Sequence, residues 1–316
     1  MAAQTCVIVF VKAPIRGTVK TRLARSVGDD AALAVYQHFV ADVVNMLRTT
    51  DHDLRVYFNP PGADSSVRAM VGEGLSIFPQ QGSTLGEKMH NALAETFQDG
   101  VSQAVLIGSD IPDLPSGIID EAFAGLDKAP AATGPSPDGG YYLIGFNADS
   151  FFPDIFSNIE WGTETVFSRT MACFQENNIK PYMLPMWDDI DTAGDLKRFT
   201  DSNPNNAPQT LHCLRQLGLI SENPPESLKQ NKLPQISVVM PVMHEAPVIN
   251  KAIDNVMSIF CESQSSPGVN AEIIVVDGDP ENSTIKAITR PDIKKIQSPP
   301  GRAVQMNYGA ALPGGD

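Results

Sequence analysis

Four stretches of this 316-residue chain concentrate side chains able to do chemistry. The first runs from Lys12 to Arg22, KAPIRGTVKTR. Lys12, Arg16, Lys20 and Arg22 crowd it with donors, Gly17 permits a tight turn, and the backbone from Ala13 onward adds amides. A diphosphate needs that combination of fixed amides with Lys and Arg side chains. Residues 1–28 hold no Asp or Glu, whereas the whole chain carries a formal net charge of −14. A basic island on an acidic protein points to a small anionic ligand held locally; a solvated basic turn is the alternative. The spacing is not G-x-x-x-x-G-K-[ST], so a nucleoside-triphosphatase loop is unsupported.

The second stretch is VLIGSDIPDLP. A carboxylate at the tip of a buried strand is expensive unless hydrated, paired or metal-bound. Asp110 and Asp113 lie three residues apart in a loop that Pro112 and Pro115 restrict. Hard oxygen ligands suit Mg2+ or Mn2+, which would screen a diphosphate and stabilise it as a leaving group. For Asp113, capping of the following helix by it or by Ser116 is an equal reading. The third stretch, WDDIDTAGDL, places Asp188, Asp189, Asp191 and Asp195 within eight residues. Asp191 is a candidate second metal ligand, and Asp191 or Thr192 is also a sound helix N-cap.

The fourth is GPSPDGGYYLIGF, followed by WGTET. Paired glycines before a strand allow close backbone approach to a ligand, and Asp138 could bind hydroxyls; a plain hairpin turn explains Asp-Gly-Gly equally well. Trp161 offers an aromatic platform. Glu164 is a candidate general base, although a first-turn Glu also simply favours a helix dipole. The five histidines show no metal spacing, and His38 and His90 fall within predicted helices as structural residues. Neither G-x-S-x-G nor a dinucleotide-binding G-x-G-x-x-G after the first strand occurs.

The elements that must position these residues alternate. Val7–Val11 is a continuous β-branched run, a strand buried on both faces. Helix 30–48 follows, then strand 54–58, helix 84–97, strand 103–107 and helix 116–126. Strands 131–133 and 141–146, helix 163–176, strand 180–184 and helix 193–200 complete the pattern. Strand–helix alternation predicts an α/β sheet with helices on both faces, and ligands in such sheets sit beyond the carboxyl ends of strands. Lys12–Arg22 and Asp110 fall there.

A helix is expected over 210–219, with domain one ending near 220. Residues 221–234 read as a polar, Pro-rich linker. The grammar then restarts over 235–316: strand 236–240, helix 245–260, strand 272–276 and a helix from Ser283. About 80 residues are fewer than the usual roughly 100–150 of an α/β domain, so this unit is expected to be cut short.

Composition bounds the partners. A 42% hydrophobic and 19% charged chain is an ordinary globular one, and its acidity argues against nucleic acid. No apolar run of about 18 residues predicts a membrane span. Cys6, Cys173, Cys213 and Cys261 are scattered and read as reduced thiols of a cytoplasmic protein.

Taken in order, FVKAPIRGTVKTRLA, Leu85-Gly86-Glu87, IGSDIPDLP, GPSPDGGYYLIGF, WGTET and DIDTAGDL resemble the glycosyltransferase-A-like bacterial family associated with arsenosugar biosynthesis. The resemblance covers about residues 5–220. It implies a three-layer α/β/α nucleotide-diphospho-sugar transferase (GT-A, Rossmann-like) domain with a mostly parallel sheet, related to guanylyltransferases. It also implies that Lys12, Lys20 and Arg22 contact phosphates, Asp110 the metal, and Asp138 the sugar or acceptor. Beyond the linker, ISVVMPVMHEA, IIVVDGD and GRAVQMNYGAAL resemble the opening of family 2 glycosyltransferases, which would put Asp277 by a nucleotide base and Glu245 near the nucleotide. VDGDPENST departs from that family's pattern, and the sequence stops at Asp316 before its Asp-x-Asp motif, so this unit is expected to be catalytically incomplete.

The expected activity is glycosyl transfer from a nucleotide sugar to a small-molecule acceptor with Mg2+ or Mn2+. Nucleotidyl transfer from a nucleoside triphosphate, releasing pyrophosphate, is the runner-up. A non-catalytic nucleotide-binding module is the third reading.

Overall fold

The computed structural model describes residues 4–202, 206–221, 235–262, 270–290, 293–298, 300–301 and 305. The chain divides into two compact units, Met1–Glu222 and Asn223–Asp316.

The first unit opens on β1 (Thr5–Lys12), α1 (Thr21–Val27), α2 (Asp29–Leu47), β2 (Asp53–Asn59), α3 (Asp64–Val71) and β3 (Ser76–Pro79). It continues through α4 (Leu85–Gln98), β4 (Gln103–Gly108), α5 (Ser116–Leu126), β5 (Ala131–Pro135), β6 (Tyr141–Asn147) and a 3-10 turn (Pro153–Phe156). It closes with α6 (Val166–Glu176), β7 (Tyr182–Met183), α7 (Ala193–Asp201) and α8 (Pro208–Gln216). The seven strands form one sheet in the order β3-β2-β1-β4-β6-β5-β7. β6 runs antiparallel to β4 and β5, and the remaining pairings are parallel. The α/β sheet expected from the alternation, mostly parallel as the resemblance implied, is thus the observed one.

β1 is central, between β2 and β4, which is why its run is apolar without interruption. Its period of two sends Val7, Val9 and Val11 to a core shared with α2 and α5, and Cys6 and Ile8 to the opposite core beneath α4 and α6. α4 begins where the sequence predicts, because Thr84 and Glu87 form a reciprocal capping box. A third cluster joins Leu23 of α1 and Phe39 of α2 to Ile190, Phe199 of α7 and Leu214 of α8. That cluster anchors the basic turn and the late aspartates in one body.

Four elements of this unit were not expected: α1, α3, β3 and the 3-10 turn. Helix α6 starts at Val166, three residues later than predicted, so Glu164 precedes it.

In the second unit, β8 (Gln235–Val242), α9 (Ile249–Glu262), β9 (Asn270–Asp277), α10 (Ser283–Ala287) and β10 (Lys294–Gln297) make a parallel sheet of order β10-β9-β8. Ile249 and Ile253 of α9 pack on Val242, Ile273 and Val275. The linker residues 222–234 and most of GRAVQMNYGAAL lie outside the described residues.

Candidate active site

β1 and β4 are parallel neighbours, with Phe10 opposite Gly108, so the turn after Lys12 and the loop after Gly108 emerge from one sheet edge. Tyr36 on α2 ties the two together. The Lys12 N–H donates to its hydroxyl (2.7 Å), which donates in turn to the Lys12 carbonyl (3.0 Å). The Ser109 hydroxyl lies 3.5 Å away. Burial, with Asp110 nearby, pushes the Tyr36 hydroxyl well above the ordinary phenol range. Sequence reading placed Tyr36 within helix 30–48 and gave it no polar role.

The basic turn and Asp110 do meet, through Lys20. Its side chain is 2% exposed, and its ammonium lies 2.8 Å from Asp110 Oδ1 and 2.8 Å from Asp191 Oδ1. It also donates to the Ile190 carbonyl at 2.6 Å. Burial alone would lower this ammonium's pKa; Asp110 and Asp191 outweigh it and hold the group above its usual value. The backbone at Lys20 is left-handed, φ 47°. The Ile190 N–H donates to the Asp110 carbonyl (3.0 Å), so the two carboxylate segments are also stitched by backbone.

The other basic residues separate. Arg16 turns to Asp29 and Asp30 on the first turn of α2; Gly17, at φ 78°, makes the turn. Ala13 is buried, its N–H donating to the Asn59 carbonyl (2.8 Å). Lys12 and Arg22 are exposed, Arg22 lying 3.9 Å from Asp191. Of the expected phosphate-binding side chains, Lys12, Arg16 and Arg22 face outward and Lys20 is buried. Lys20 and Arg16 are committed to carboxylates.

Two adjoining recesses open beside this cluster. A smaller one of about 160 Å3 is lined by Asp110, Ser136, Asp138, Tyr142 and Asp189 among others. A larger one of about 440 Å3 has Phe10, Met89, Leu106 and Trp161 on its apolar side and Arg22, Asp138, Glu164 and Asp191 on its polar side. Both share Gly108, Asp138, Gly140, Tyr141 and Tyr142. One Asp138 oxygen accepts from the Ser136 hydroxyl and from the Gly140 N–H (2.9 Å). Burial first, then the negative charges of Asp191, Asp138 and Asp110, push Asp189 up to about 6. Asp189 is the residue that sequence reading passed over; its place in the four-aspartate run was the available signal.

The alternative readings resolve residue by residue. Thr192, with Asp195, caps α7, which leaves Asp191 to Lys20. No side chain caps α5. Asp113 instead accepts from the Trp187 indole N–H (3.2 Å) and lines a different recess; burial raises its pKa, the Trp187 bond opposing. The expected metal set of Asp110, Asp113 and Asp191 is therefore not assembled: Asp113 faces Trp187, and an ammonium stands between the other two. Among the described residues no three His, Cys, Asp or Glu side chains gather as a metal cage. A Cβ on Gly139 (φ 86°) would lie 2.1 Å from the Glu164 carbonyl oxygen. That glycine thus serves packing of the Asp-Gly-Gly turn against WGTET, not approach of a ligand.

Do these residues suit Mg2+ or Mn2+? Mg2+ is commonly held by one or two carboxylates completed by substrate phosphates and water. Asp110 and Asp189 beside one recess match the one or two carboxylates of an ion held in that shared way, with no third acidic, His or Cys ligand gathered with them among the described residues.

In the second unit, Asp277 is fully buried and accepts from the N–H groups of Asp279 (3.0 Å), Thr284 (3.2 Å) and Ile285 (3.1 Å). This carboxylate, expected beside a nucleotide base, organises its own loop. Glu245 is exposed, its N–H donating to the Thr284 hydroxyl (3.0 Å).

Among the described residues no helix is long and apolar enough to cross a membrane. The family model described as "Uncharacterized protein conserved in bacteria (DUF2064)" matches residues 42–163. No curated protein matches the chain. Among solved structures, it is 38% identical to a Desulfovibrio desulfuricans G20 protein provisionally named a nucleotide-diphospho-sugar transferase. That match covers 69% of this chain and 96% of the other, with a TM-score of 0.66. It is also similar to a Leptospira borgpetersenii cytidylyltransferase (14% identity, 70% and 98% coverage, TM-score 0.42). A third is the manganese complex of Rv0371C from Mycobacterium tuberculosis H37Rv (16%, 63% and 100%, TM-score 0.40).

Proposed function

The chain belongs to the DUF2064 family, and on that premise we propose that its first unit is a transferase taking a nucleotide sugar and a divalent metal. The observation that carries the reading is the convergence at one strand edge: Lys20 of the basic turn bonded to Asp110 and Asp191, beside a cleft bearing Arg22, Asp138 and Glu164. The provisional name of the Desulfovibrio relative supports the same donor class. By the sequence resemblance, the setting is a cytoplasmic pathway of the arsenosugar type.

In this reading Lys12 and Arg22 hold the diphosphate as point charge and planar fork. Asp110 and Asp189 would hold Mg2+ or Mn2+, with Asp138 beside them. That ion supplies positive charge against the leaving diphosphate. Asp138 binds a hydroxyl of the sugar or acceptor. Glu164, ahead of α6 rather than inside it, accepts the proton of the attacking acceptor hydroxyl, as a general base must within hydrogen-bond reach of its substrate. Trp161 and Met89 receive the apolar side of the bound molecule.

The products decide the matter. Purified protein incubated with Mn2+, nucleotide sugars and acceptors should release a nucleoside diphosphate, and Asp110→Asn should lose that turnover. Release of pyrophosphate from nucleoside triphosphates would establish nucleotidyl transfer instead. Nucleotide binding with no product of either kind would leave a binding module.

A further inference from the structure

Lys20 belongs to the basic turn, yet it is built like a core residue. Its ammonium donates to Asp191 Oδ1 (2.8 Å) and to the Ile190 carbonyl (2.6 Å), and lies 2.8 Å from Asp110 Oδ1 as an ion pair. Its side chain is 2% exposed, whereas those of Asp110 and Asp191 are 36% and 39% exposed. An ammonium so enclosed has no surface left for a phosphate oxygen. It instead takes up one oxygen of each carboxylate, Oδ1 of Asp110 and Oδ1 of Asp191. Phe39, 5.5 Å from the ammonium, backs it with a ring face.

We propose that Lys20 is the resident counter-cation of Asp110 and Asp191, a positioning residue and not a phosphate ligand. It fixes the two carboxylates at the rim and prevents them from closing on a divalent cation by themselves. A divalent metal would then be held by Asp110 and Asp189 together with an anionic substrate. This rests on the transferase reading for the identity of the anion; the claim about the ammonium itself does not. Removing one positive charge within bonding distance of two carboxylates strengthens their hold on a cation.

The test is Mn2+ titration of the full chain, read from the resonance signal of free Mn2+, with no nucleotide present. Wild type should bind Mn2+ weakly. Lys20→Met should bind it roughly tenfold more tightly or better, and Lys20→Arg, which keeps the charge, should behave as wild type. If Lys20→Met does not fold, Lys20→Gln, likewise uncharged, carries the same expectation. Equal or weaker Mn2+ binding by the neutral variants overturns the proposal, as does a gain in Lys20→Arg matching theirs. A separate arm adds a nucleoside diphosphate to wild type: no gain in Mn2+ binding there would count against the transferase reading, while the comparison of variants still decides the role of Lys20.

Discussion

Replacing Lys20 by Met should destabilise the first unit by about 3 kcal/mol. Removing one partner of a buried ion pair typically costs about 3–5 kcal/mol, because the other charge is left uncompensated. Here the abandoned carboxylates are 36% and 39% exposed, so water recovers part of the loss and the lower end applies. Methionine keeps the apolar stem against Phe39, and the left-handed backbone strains both residues alike, so neither enters the difference. For a unit of about 220 residues this corresponds to a fall in Tm of roughly 6–12 °C. Urea unfolding followed by tryptophan fluorescence isolates the unit, since the two tryptophans, Trp161 and Trp187, both lie in it. The raised Lys20 pKa fixes the pH dependence. Its contribution is fully present below the unfolded value of 10.5 and fades as pH climbs through the higher folded value, so the deficit should be flat through neutrality. Adding Asp110→Asn and Asp191→Asn should restore more than half of it. A deficit under about 1 kcal/mol, or no recovery in the triple variant, would refute the reasoning.

Tyr36→Phe should cost about 1–3 kcal/mol, because the half-buried Lys12 N–H loses its hydroxyl acceptor; the same urea titration reads it, and it should also weaken nucleotide binding by loosening the β1 and β4 ends. Gly139→Ala should cost about 3 kcal/mol, from a left-handed backbone and a Cβ forced into the Glu164 carbonyl. Asp189 predicts the opposite sign. With its folded pKa raised from 3.8 to about 6, the native state holds the extra proton, so wild type loses stability as pH rises across that window. Asp189→Asn should equal wild type near pH 4 and exceed it above pH 6, by less than about 3 kcal/mol since the group is partly hydrated; an advantage that instead grows on acidification contradicts this.

How far the site was legible follows from the range of each interaction. β1 and β4 were legible because central strands must be apolar on both faces, and Asp110 because an acid at a strand tip needs a reason. Helix α1 was not: seven residues with only Leu23 fully buried leave no period to read. β3 is four residues at the sheet edge, equally silent. Lys20 was visible as a cation, yet its partner Asp191 lies 171 positions away, and local spacing carries nothing about that pairing. Asp113 stayed open because proline-flanked acids look alike whether they face a ligand or an indole. The Gly139 contact with Glu164 joins two motifs that sequence reading treated separately, and gives one physical reason for both.

Crystals grown with Mn2+ and a nucleoside diphosphate would test the central claim most directly, through the anomalous signal of the metal. The account predicts an ion in the recess of Asp110, Asp138 and Asp189, phosphates reaching Lys12 and Arg22, and Lys20 still bound to its two carboxylates. A diphosphate seated elsewhere, or a metal standing where the Lys20 ammonium now lies, would contradict it.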